Sequence, residues 1–473
     1  MPTSPEIYDA IVIGTGQAGP SLAVRLAGAG KRTAIIERKH VGGTCVNVGC
    51  IPTKTLIASA RAAHVARHAA DYGVLVGGAV TVDMARVKAR KDEVVAASST
   101  GLTKWLEGTS NLSLIHGHAR FESARRLRVS SQSGERVIEV ADGGKVFINT
   151  GGRAVAPDIP GLSGIDYLTN SSMMEVDTLP RHLLIIGGSY IGLEFAQMYR
   201  RFGSDVTVLE VGPRIIGRED EPVSAAIQTI LAGEGVAFHT GVQDLHTAKT
   251  ADGGVTLNFK TGDAQHSVAG SHLLLAVGRA PNTDDLGLEH AGVKLDARGY
   301  ITVDEQLRSS VPGIWALGDV NGRGAFTHTA YNDYEIVAAN LLDNDPRKLS
   351  DRIPIYALFT RPAAGARGHE RKGSARLRPP RPGRAHADGP RRPRPRARRD
   401  RRFHDRAHRC RNQTFSGRRA ARHRGRRSDP RHCRPDVRRR ALYRDAARRA
   451  HPPHRLRTAA HPARRPQAAV KSR

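Results

Sequence analysis

The chain has 473 residues and a mass of 51.1 kDa, enough for about two to four domains with buried cores. Residues 361–473 contain 39 Lys and Arg but only 7 Asp and Glu, so the net charge of +29 belongs to this tail and residues 1–360 carry a net charge of −3. A high positive charge is typical of proteins that bind nucleic acids or anionic membranes. Because the charge lies in the tail, this interpretation is excluded for the first three quarters of the chain. There is no apolar run near the roughly 20 residues of a membrane span and no secretory signal pattern, which predicts a cytoplasmic protein.

The first predicted unit begins with the apolar run of residues 8–13. GTGQAG follows, then a helical pattern, then the apolar run TAIIE that ends at Glu37. Gly14, Gly16 and Gly19 match G-x-G-x-x-G, in which glycines allow a tight turn, close approach of a pyrophosphate and packing of helix on strand. Glu37 lies where a carboxylate accepts hydrogen bonds from a ribose. This order of elements favours a dinucleotide-binding unit over a bare glycine turn.

The same arrangement recurs in HLLIIGGSYIGLEFAQMYRRFGSDVTVLE. Gly187 and Gly192 occupy the first and third glycine positions, while Ser189 occupies the second and leaves slightly less room for a phosphate. Glu210 ends the second strand, where it favours the 2′-hydroxyl of NADH over the 2′-phosphate of NADPH. Arg214 nearby keeps NADPH possible. Two such units predict two nucleotides.

The segments around these units also carry readable patterns. Residues 81–108 have a helical pattern and residues 111–150 alternate in the manner of strands. Residues 272–282 and 311–320 read as strands that end in glycine turns. After residue 360 there is no apolar periodicity, and an Arg/Pro-rich composition of this kind cannot bury enough apolar surface to offset chain entropy.

The strongest motif is GGTCVNVGCIPTK, residues 42–54, on a predicted loop that runs into a helix. Cys45 and Cys50 are spaced to close a small ring, as a disulfide that opens and reforms in a redox cycle requires. A structural disulfide or half of a metal site are the alternatives. A cytosolic setting and the lack of another Cys or His pair nearby favour redox use and no metal. Cys410 and Cys433 lie in the tail.

GTGQAG with Glu37, GGTCVNVGCIPTK, GGSYIGLE, AVGRAPN and ALGDV, in this order and spacing, resemble the pyridine nucleotide-disulfide oxidoreductases, a family that includes dihydrolipoamide dehydrogenase, glutathione reductase and mercuric reductase. The resemblance covers residues 6–360. It implies FAD in the first unit, NAD(P)H in the second, with NADH favoured, and an enzyme that moves two electrons between nicotinamide, flavin and a dithiol or disulfide substrate, which is a small molecule or a protein. It also implies a homodimer.

The resemblance further implies roles for individual residues. Cys50 would face the flavin and Cys45 would exchange with the substrate. Lys54 would lie by the flavin and pair with Glu194, although a plain buried salt bridge is the alternative. Tyr190 would gate the nicotinamide pocket, for which simple packing is an equal alternative. The remaining candidate cofactor-binding residues are Gly14, Gly16, Gly19, Glu37, Thr44, Gly151, Asp319, Gly187, Gly192, Glu210 and Gly278.

We therefore expect an α/β protein with two Rossmann-like dinucleotide-binding domains. The expected divisions are residues 1–150 (FAD, first part), 151–280 (NAD(P)), 281–350 (FAD, second part), 351–360 (remnant of an interface domain) and 361–473 (a disordered basic tail). The tail stands where the family has its dimerisation domain, which predicts impaired activity and dimerisation in this chain.

The tail reads as an out-of-frame translation. If each codon is regrouped from its second base, residues 361–371 permit DPPLGRVGMSE and residues 451–469 permit IHPTVSELLPTLLGDLKPL, followed by a permitted stop codon. The family's His-Pro pair would then lie over Pro452 and its Glu over Arg457. The alternative is a flavoprotein with a genuine basic tail that binds nucleic acid or an anionic surface by counterion release. The nucleotide sequence near the Thr360 codon distinguishes the two.

Overall fold

The computed structural model describes residues 5–361 and the backbone of residues 364–367. The interpretations of the tail concern residues 361–473 and, apart from these few positions, lie outside the described residues. Among the described helices none is long and apolar enough to cross a membrane.

Strands and helices alternate through the first part of the described chain, as its hydrophobic pattern predicts. The elements are β1 (Glu6–Ile13), α1 (Gly19–Gly28), β2 (Thr33–Glu37), α2 (Gly43–Asn47), α3 (Cys50–Arg67), α4 (Met84–Glu107), β3 (Leu112–His116), β4 (His118–Ser123), β5 (Arg126–Ser131), β6 (Gly134–Ile148) and β7 (Gly152–Ala154).

A second series of elements follows. These are β8 (Tyr167–Leu168), β9 (His182–Ile186), α5 (Tyr190–Phe202), β10 (Asp205–Glu210), α6 (Glu221–Gly233), β11 (Val236–Thr240), β12 (Val242–Lys249), β13 (Val255–Thr261), β14 (Ala264–Gly270), β15 (His272–Leu275), β16 (Arg279–Pro281), α7 (Leu288–Ala291), β17 (Ile314–Ala316), α8 (Thr327–Leu342), β18 (Ile355–Leu358) and β19 (Ala364–Arg367).

The first sheet has the order β3-β2-β1-β6-β5-β4, and β17 also pairs with β6. β1 lies parallel between β2 and β6, and its residues from Ala10 to Ile13 are buried on both faces, as expected for parallel strands covered on two sides. Val12 and Phe147 belong to the core beneath α1 and α8, whereas Ile11 and Ile148 belong to the core on the opposite face. The chain therefore leaves this sheet after β6 and returns to it with β17.

The second sheet has the parallel order β11-β10-β9-β15-β8 and is accompanied by the antiparallel sheet β12-β13-β14. Smaller antiparallel pairs join β7 to β16 and β18 to β19. The two parallel arrangements confirm the predicted α/β class with two Rossmann-like units. The helix predicted over residues 81–108 is α4, whose start is capped by the Asp83 side chain accepting from the Arg86 N–H.

Helix α3 of the first series packs against α5 of the second. Leu56 and Ala60 of α3 share a buried cluster with Leu193 and Phe195 of α5. The guanidinium of Arg67, at the end of α3, donates to backbone carbonyls at the C-terminus of α5, where unpaired carbonyls favour a cation. This packing sets α3, which begins with Cys50, against α5, which follows the second glycine turn.

Candidate redox site

The two cysteines lie on adjoining helices. Cys45 is in α2, a single helical turn where the sequence predicted a loop, and Cys50 is the first residue of α3. Gly49 separates them, and a Cβ atom there would lie 2.8 Å from the backbone oxygen of Thr44, so that a glycine is needed for the turn. Both thiols are free in the structure. The start of an 18-residue helix places partial positive charge beside Cys50.

The hydroxyl of Thr327 lies between the two sulfurs. Its Oγ1 atom is 3.0 Å from Cys50 Sγ and 3.2 Å from Cys45 Sγ. Thr327 is the first residue of α8, far from both cysteines in sequence, and the sequence analysis missed it. No signal in the sequence marks it, because threonine is common at helix starts.

The surroundings push the pKa values of the two thiols in opposite directions. The hydrogen bond from Cys45, together with the Thr327 hydroxyl and the charge of Lys54, lowers the pKa of Cys50 to about 6. Although Cys50 is an exposed residue, enough protein surrounds its sulfur for desolvation to oppose this shift. The hydrogen bond to Cys50 and burial raise the pKa of Cys45. At neutral pH Cys50 is therefore the thiolate and Cys45 the thiol.

An ion pair adjoins the thiolate. Lys54 lies one turn after Cys50 on α3, and its Nζ atom is 2.6 Å from Oε2 of Glu194 on α5. Glu194 is buried and Lys54 is partly buried. The structure thus brings together four of the five residues predicted to be catalytic: Cys45, Cys50, Lys54 and Glu194.

Tyr190, the fifth, begins α5 behind the second glycine turn. Its hydroxyl donates to Oε1 of Glu219 at 2.7 Å. Its ring meets those of Phe326 and Tyr356 edge to face, with centroids 6.1 and 5.7 Å apart. Tyr190 is thus packed and tethered, and gating stays a prediction.

The first glycine turn forms a cradle that side chains would fill. Gly14 has φ +101°, and a Cβ atom there would overlap with the backbone oxygen of Asn149. A Cβ atom on Gly19 would overlap with the backbone oxygen of Gly14. A Cβ atom on Gly16 would fill the space beside the Asn149 side chain. Glu37 is buried behind this turn, where its Oε2 accepts from the N–H and hydroxyl of Thr15. A turn whose backbone carries no side chains at these positions, with a carboxylate behind it, fits a bound dinucleotide.

The second turn repeats this geometry with one exposed serine. Gly187 has φ +111°, and a Cβ on Gly192 would overlap with the Gly187 oxygen. Ser189 is exposed at the start of α5 and makes no capping hydrogen bond. Glu210 accepts from the Gly188 and Gly212 amides at 2.7 and 2.8 Å. This turn also fits a dinucleotide.

Besides Lys54, four predicted cofactor-binding residues lie away from the two glycine turns and their carboxylates. Thr44 is exposed within α2. Gly151 and Gly278 have φ of +67° and +153°, and a Cβ on either would meet open space. Asp319 lies in the turn after β17, where burial raises its pKa against the opposing charge of Arg279, whose Nε is 3.9 Å away. Within residues 5–361 no group of three or more His, Cys, Asp and Glu side chains could hold a metal ion.

Known proteins match most of this chain. A family model described as pyridine nucleotide-disulphide oxidoreductase matches residues 8–333. A mercuric reductase of Streptomyces lividans is 37% identical over 362 residues, covering 76% of this chain and 75% of the relative. A dihydrolipoyl dehydrogenase of Cupriavidus necator is 35% identical over 371 residues, covering 75% of this chain and 76% of the relative. The Cu(II) complex of the HOCl-induced flavoprotein disulfide reductase RclA from Escherichia coli superposes with a TM-score of 0.69 and 35% identity, covering 79% of both chains.

Proposed function

Because the chain belongs to the pyridine nucleotide-disulphide oxidoreductase family, whose members use FAD and NAD(P)H to act on sulfur groups, we propose that it moves two electrons between a nicotinamide and a disulfide through its own Cys45–Cys50 pair. The observation that carries the proposal is the meeting of two cysteines with opposed pKa shifts and the Lys54–Glu194 ion pair.

FAD, when bound, supplies the two-electron exchange between nicotinamide and disulfide. The residues that would hold it are the backbone of Gly14, Gly16 and Gly19, the carboxylate of Glu37 and the carboxylate of Asp319. The overlap that any Cβ atom would cause at Gly14 and Gly19 supports this assignment, since the turn keeps its backbone bare.

The reduced cysteine pair can reduce a substrate disulfide in two exchanges. The Cys50 thiolate takes the proton of its hydrogen-bonded neighbour Cys45, and the Cys45 sulfur attacks one substrate sulfur to form a mixed disulfide. The other substrate sulfur leaves and takes that proton from Cys50, so the first product is a thiol and Cys50 is again a thiolate. The Cys50 thiolate then attacks Cys45, and the second substrate thiol leaves as the Cys45–Cys50 disulfide closes. The substrate gains two electrons from the cysteine pair and two protons, one from the Cys45 thiol and one from water. The low pKa of Cys50 supports its part, because the attacking sulfur must be a thiolate.

NADH is the favoured nicotinamide in this proposal. Two backbone amides hold the Glu210 carboxylate at the end of β10, where it would repel a 2′-phosphate. The Arg214 guanidinium, the candidate partner for that phosphate, instead donates to the carbonyls of Gly217 and Glu219. Fluorescence titration should show tighter binding of NADH than of NADPH, and the reverse order would remove this role of Glu210.

Cysteine variants of the full chain test the proposal. On anaerobic reduction, Cys50→Ser should lose the long-wavelength charge-transfer absorbance, and Cys45→Ser should retain or increase it. In the unsubstituted protein this absorbance should fall as the pH falls through about 6, because the Cys50 thiolate becomes protonated. Cys410→Ser, in the tail, is the matched control and should match the unsubstituted protein. Retention of the band in Cys50→Ser with loss in Cys45→Ser would exchange the two roles.

Turnover tests the substrate class. We expect NADH-dependent reduction of a small aromatic disulfide to require both cysteines, whereas reduction of a quinone or dye should survive their loss because it needs only the nicotinamide and flavin. If both cysteine variants reduce the disulfide as fast as the unsubstituted protein, the chain is a flavin reductase for other acceptors.

A further inference from the structure

Residues 358–361, close to the end of the described residues, form a short segment that runs along one face of α5. The Phe359 N–H donates to Glu194 Oε1 at 2.9 Å. The Arg361 N–H donates to Gln197 Oε1 at 2.8 Å, and Gln197 Nε2 donates back to the Arg361 carbonyl at 2.9 Å. Glu194 and Gln197 lie one turn apart on α5, so successive turns of the helix fix this segment.

The side chains of this segment alternate. Leu358 and Thr360 are each only 2% exposed. Phe359, between them, is 46% exposed and lies with its ring centroid 4.4 Å from Lys54 Nζ. The Leu358 and Thr360 side chains are turned into the protein, and the Phe359 side chain between them lies over the lysine.

The carboxylate of Glu194 connects these contacts. Oε1 accepts from the Phe359 N–H, and Oε2 accepts from Lys54 Nζ at 2.6 Å. The ammonium of Lys54 is therefore bounded by a carboxylate and by the face of an aromatic ring. A cation at this distance from a ring face is attracted by the negative π surface. A half-exposed phenylalanine adds little to a core, so its contact with Lys54 is its distinctive feature.

The position of Lys54 matters to the thiolate. Lys54 follows Cys50 by one helical turn, and its charge is among the causes that lower the pKa of Cys50. The lysine side chain is long, and about a third of it is exposed, so it has freedom to turn toward water unless its neighbours restrain it.

We propose that Phe359 is a positioning residue that holds the Lys54 ammonium against Glu194 and within reach of Cys50. This inference rests on the proposed function only in taking Cys50 as the reactive thiolate. Phe359 contacts Lys54 and Glu194, so any effect on the reaction passes through them.

The test is the pH dependence of Cys50 alkylation by iodoacetamide in the reduced full chain, read by mass spectrometry of the Cys50 peptide. Phe359→Leu keeps an apolar side chain but removes the ring, and we expect its alkylation rate near pH 6 to fall by about threefold as the pKa of Cys50 rises. Phe359→Tyr retains a ring and should match the unsubstituted protein. Ile353→Ala, at an exposed position just before β18, should also leave the profile unchanged.

Lys54→Gln separates this inference from the proposed function. We expect Lys54→Gln to shift the profile more than Phe359→Leu, and Phe359→Leu to add nothing when combined with it. If Lys54→Gln shifts the profile and Phe359→Leu does not, the positioning role is wrong while the proposed function stands. If Lys54→Gln causes no shift, or if the two shifts add, Phe359 does not act through Lys54 on Cys50. A shift in Phe359→Tyr as large as that in Phe359→Leu would likewise contradict a role for the ring.

Discussion

The two glycine turns share a backbone design but hold their carboxylates in different ways. In the first, Glu37 is buried and accepts from both the N–H and the hydroxyl of Thr15, and the same hydroxyl accepts from the Gly42 N–H at the entry to α2. In the second, Gly188 stands in the place of Thr15, and Glu210 is half-buried and accepts from backbone amides only.

This difference separates a sealed carboxylate from an accessible one. The side chain of Thr15 links the first turn to the segment that carries Cys45, so the proposed first nucleotide site and this segment share a hydrogen-bonded residue. The second turn has no such link, because Gly188 has no side chain to make it. A Cβ atom on Gly188 would lie 3.2 Å from Glu210. A sealed site suits a cofactor that stays bound, and an open site suits one that binds and leaves in each cycle, which supports FAD in the first unit and NAD(P)H in the second.

The largest effect should come from filling the two cradles. Gly19→Ala and Gly192→Ala each place a methyl group against a backbone oxygen, and each should lower the free energy of unfolding by about 1–3 kcal/mol. Gly19→Ala should lose FAD, whereas Gly192→Ala should keep FAD and bind NADH more than about tenfold more weakly. Flavin absorbance after gel filtration and NADH titration measure the two losses.

Two further glycines provide matched controls. Gly28 ends α1 and Gly233 ends α6, neither has positive φ, and a Cβ on either meets no atom within 4 Å. Gly28→Ala and Gly233→Ala should be neutral or should stabilise by about 0.5–1 kcal/mol. If Gly19→Ala lost NADH binding and kept FAD, the assignment of cofactors to the two units would be reversed.

Replacing Glu37 or Glu210 by glutamine should change the free energy of unfolding by different amounts, because the Glu37 carboxylate is buried and the Glu210 carboxylate is accessible. In Glu37→Gln an NH2 group must face at least one buried donor, which should lower the free energy of unfolding by about 1–3 kcal/mol. In Glu210→Gln the same conflict is relieved by water, so stability should change by less than about 1 kcal/mol while NADH affinity falls. Urea unfolding gives both values, with exposed Glu93→Gln as the control. Equal losses at both sites would contradict the distinction.

The Thr15 hydroxyl should contribute less than the Glu37 carboxylate. Thr15→Val keeps the shape but leaves the Gly42 N–H without its acceptor, at a cost of about 1–2 kcal/mol. Hydrogen exchange should then quicken in a peptide that covers Gly42 and Cys45, while Thr15→Ser should retain protection. Unchanged exchange in Thr15→Val would mean that the first turn and the redox segment are not coupled.

The smallest effect should come from Ser189→Gly, which restores the second glycine of the pattern. Because Ser189 is exposed and its side chain makes no capping bond, NADH affinity should change by less than about threefold. Titration of NADH fluorescence measures it. A gain of more than tenfold would show that the serine limits phosphate approach.

The sequence predicted the parts of this site that depend on local pattern. Glycine turns, their strands and the carboxylates at the strand ends follow from spacing along one stretch of chain, and the resemblance to a family assigned Lys54 to Glu194. The sequence did not predict that the Thr327 hydroxyl lies between the sulfurs or that Phe359 covers Lys54, because residues hundreds of positions apart meet only through packing. The single turn of helix at Cys45 was expected to be a loop, since five residues are too few for a helical period.

The return of β17 to the first sheet has a consequence for synthesis on the ribosome. The edge of β6 at Val146 to Ile148 pairs with Ile314 to Ala316, about 165 residues later. At roughly 5–20 residues per second, the nascent chain waits on the order of ten to thirty seconds for this partner. During that interval the inner unit, from β8 to β15, can complete its own parallel sheet. The first sheet begins to form first and is completed last, when β17 pairs with β6. The open edge of β6 is therefore the part of the nascent chain most in need of a chaperone.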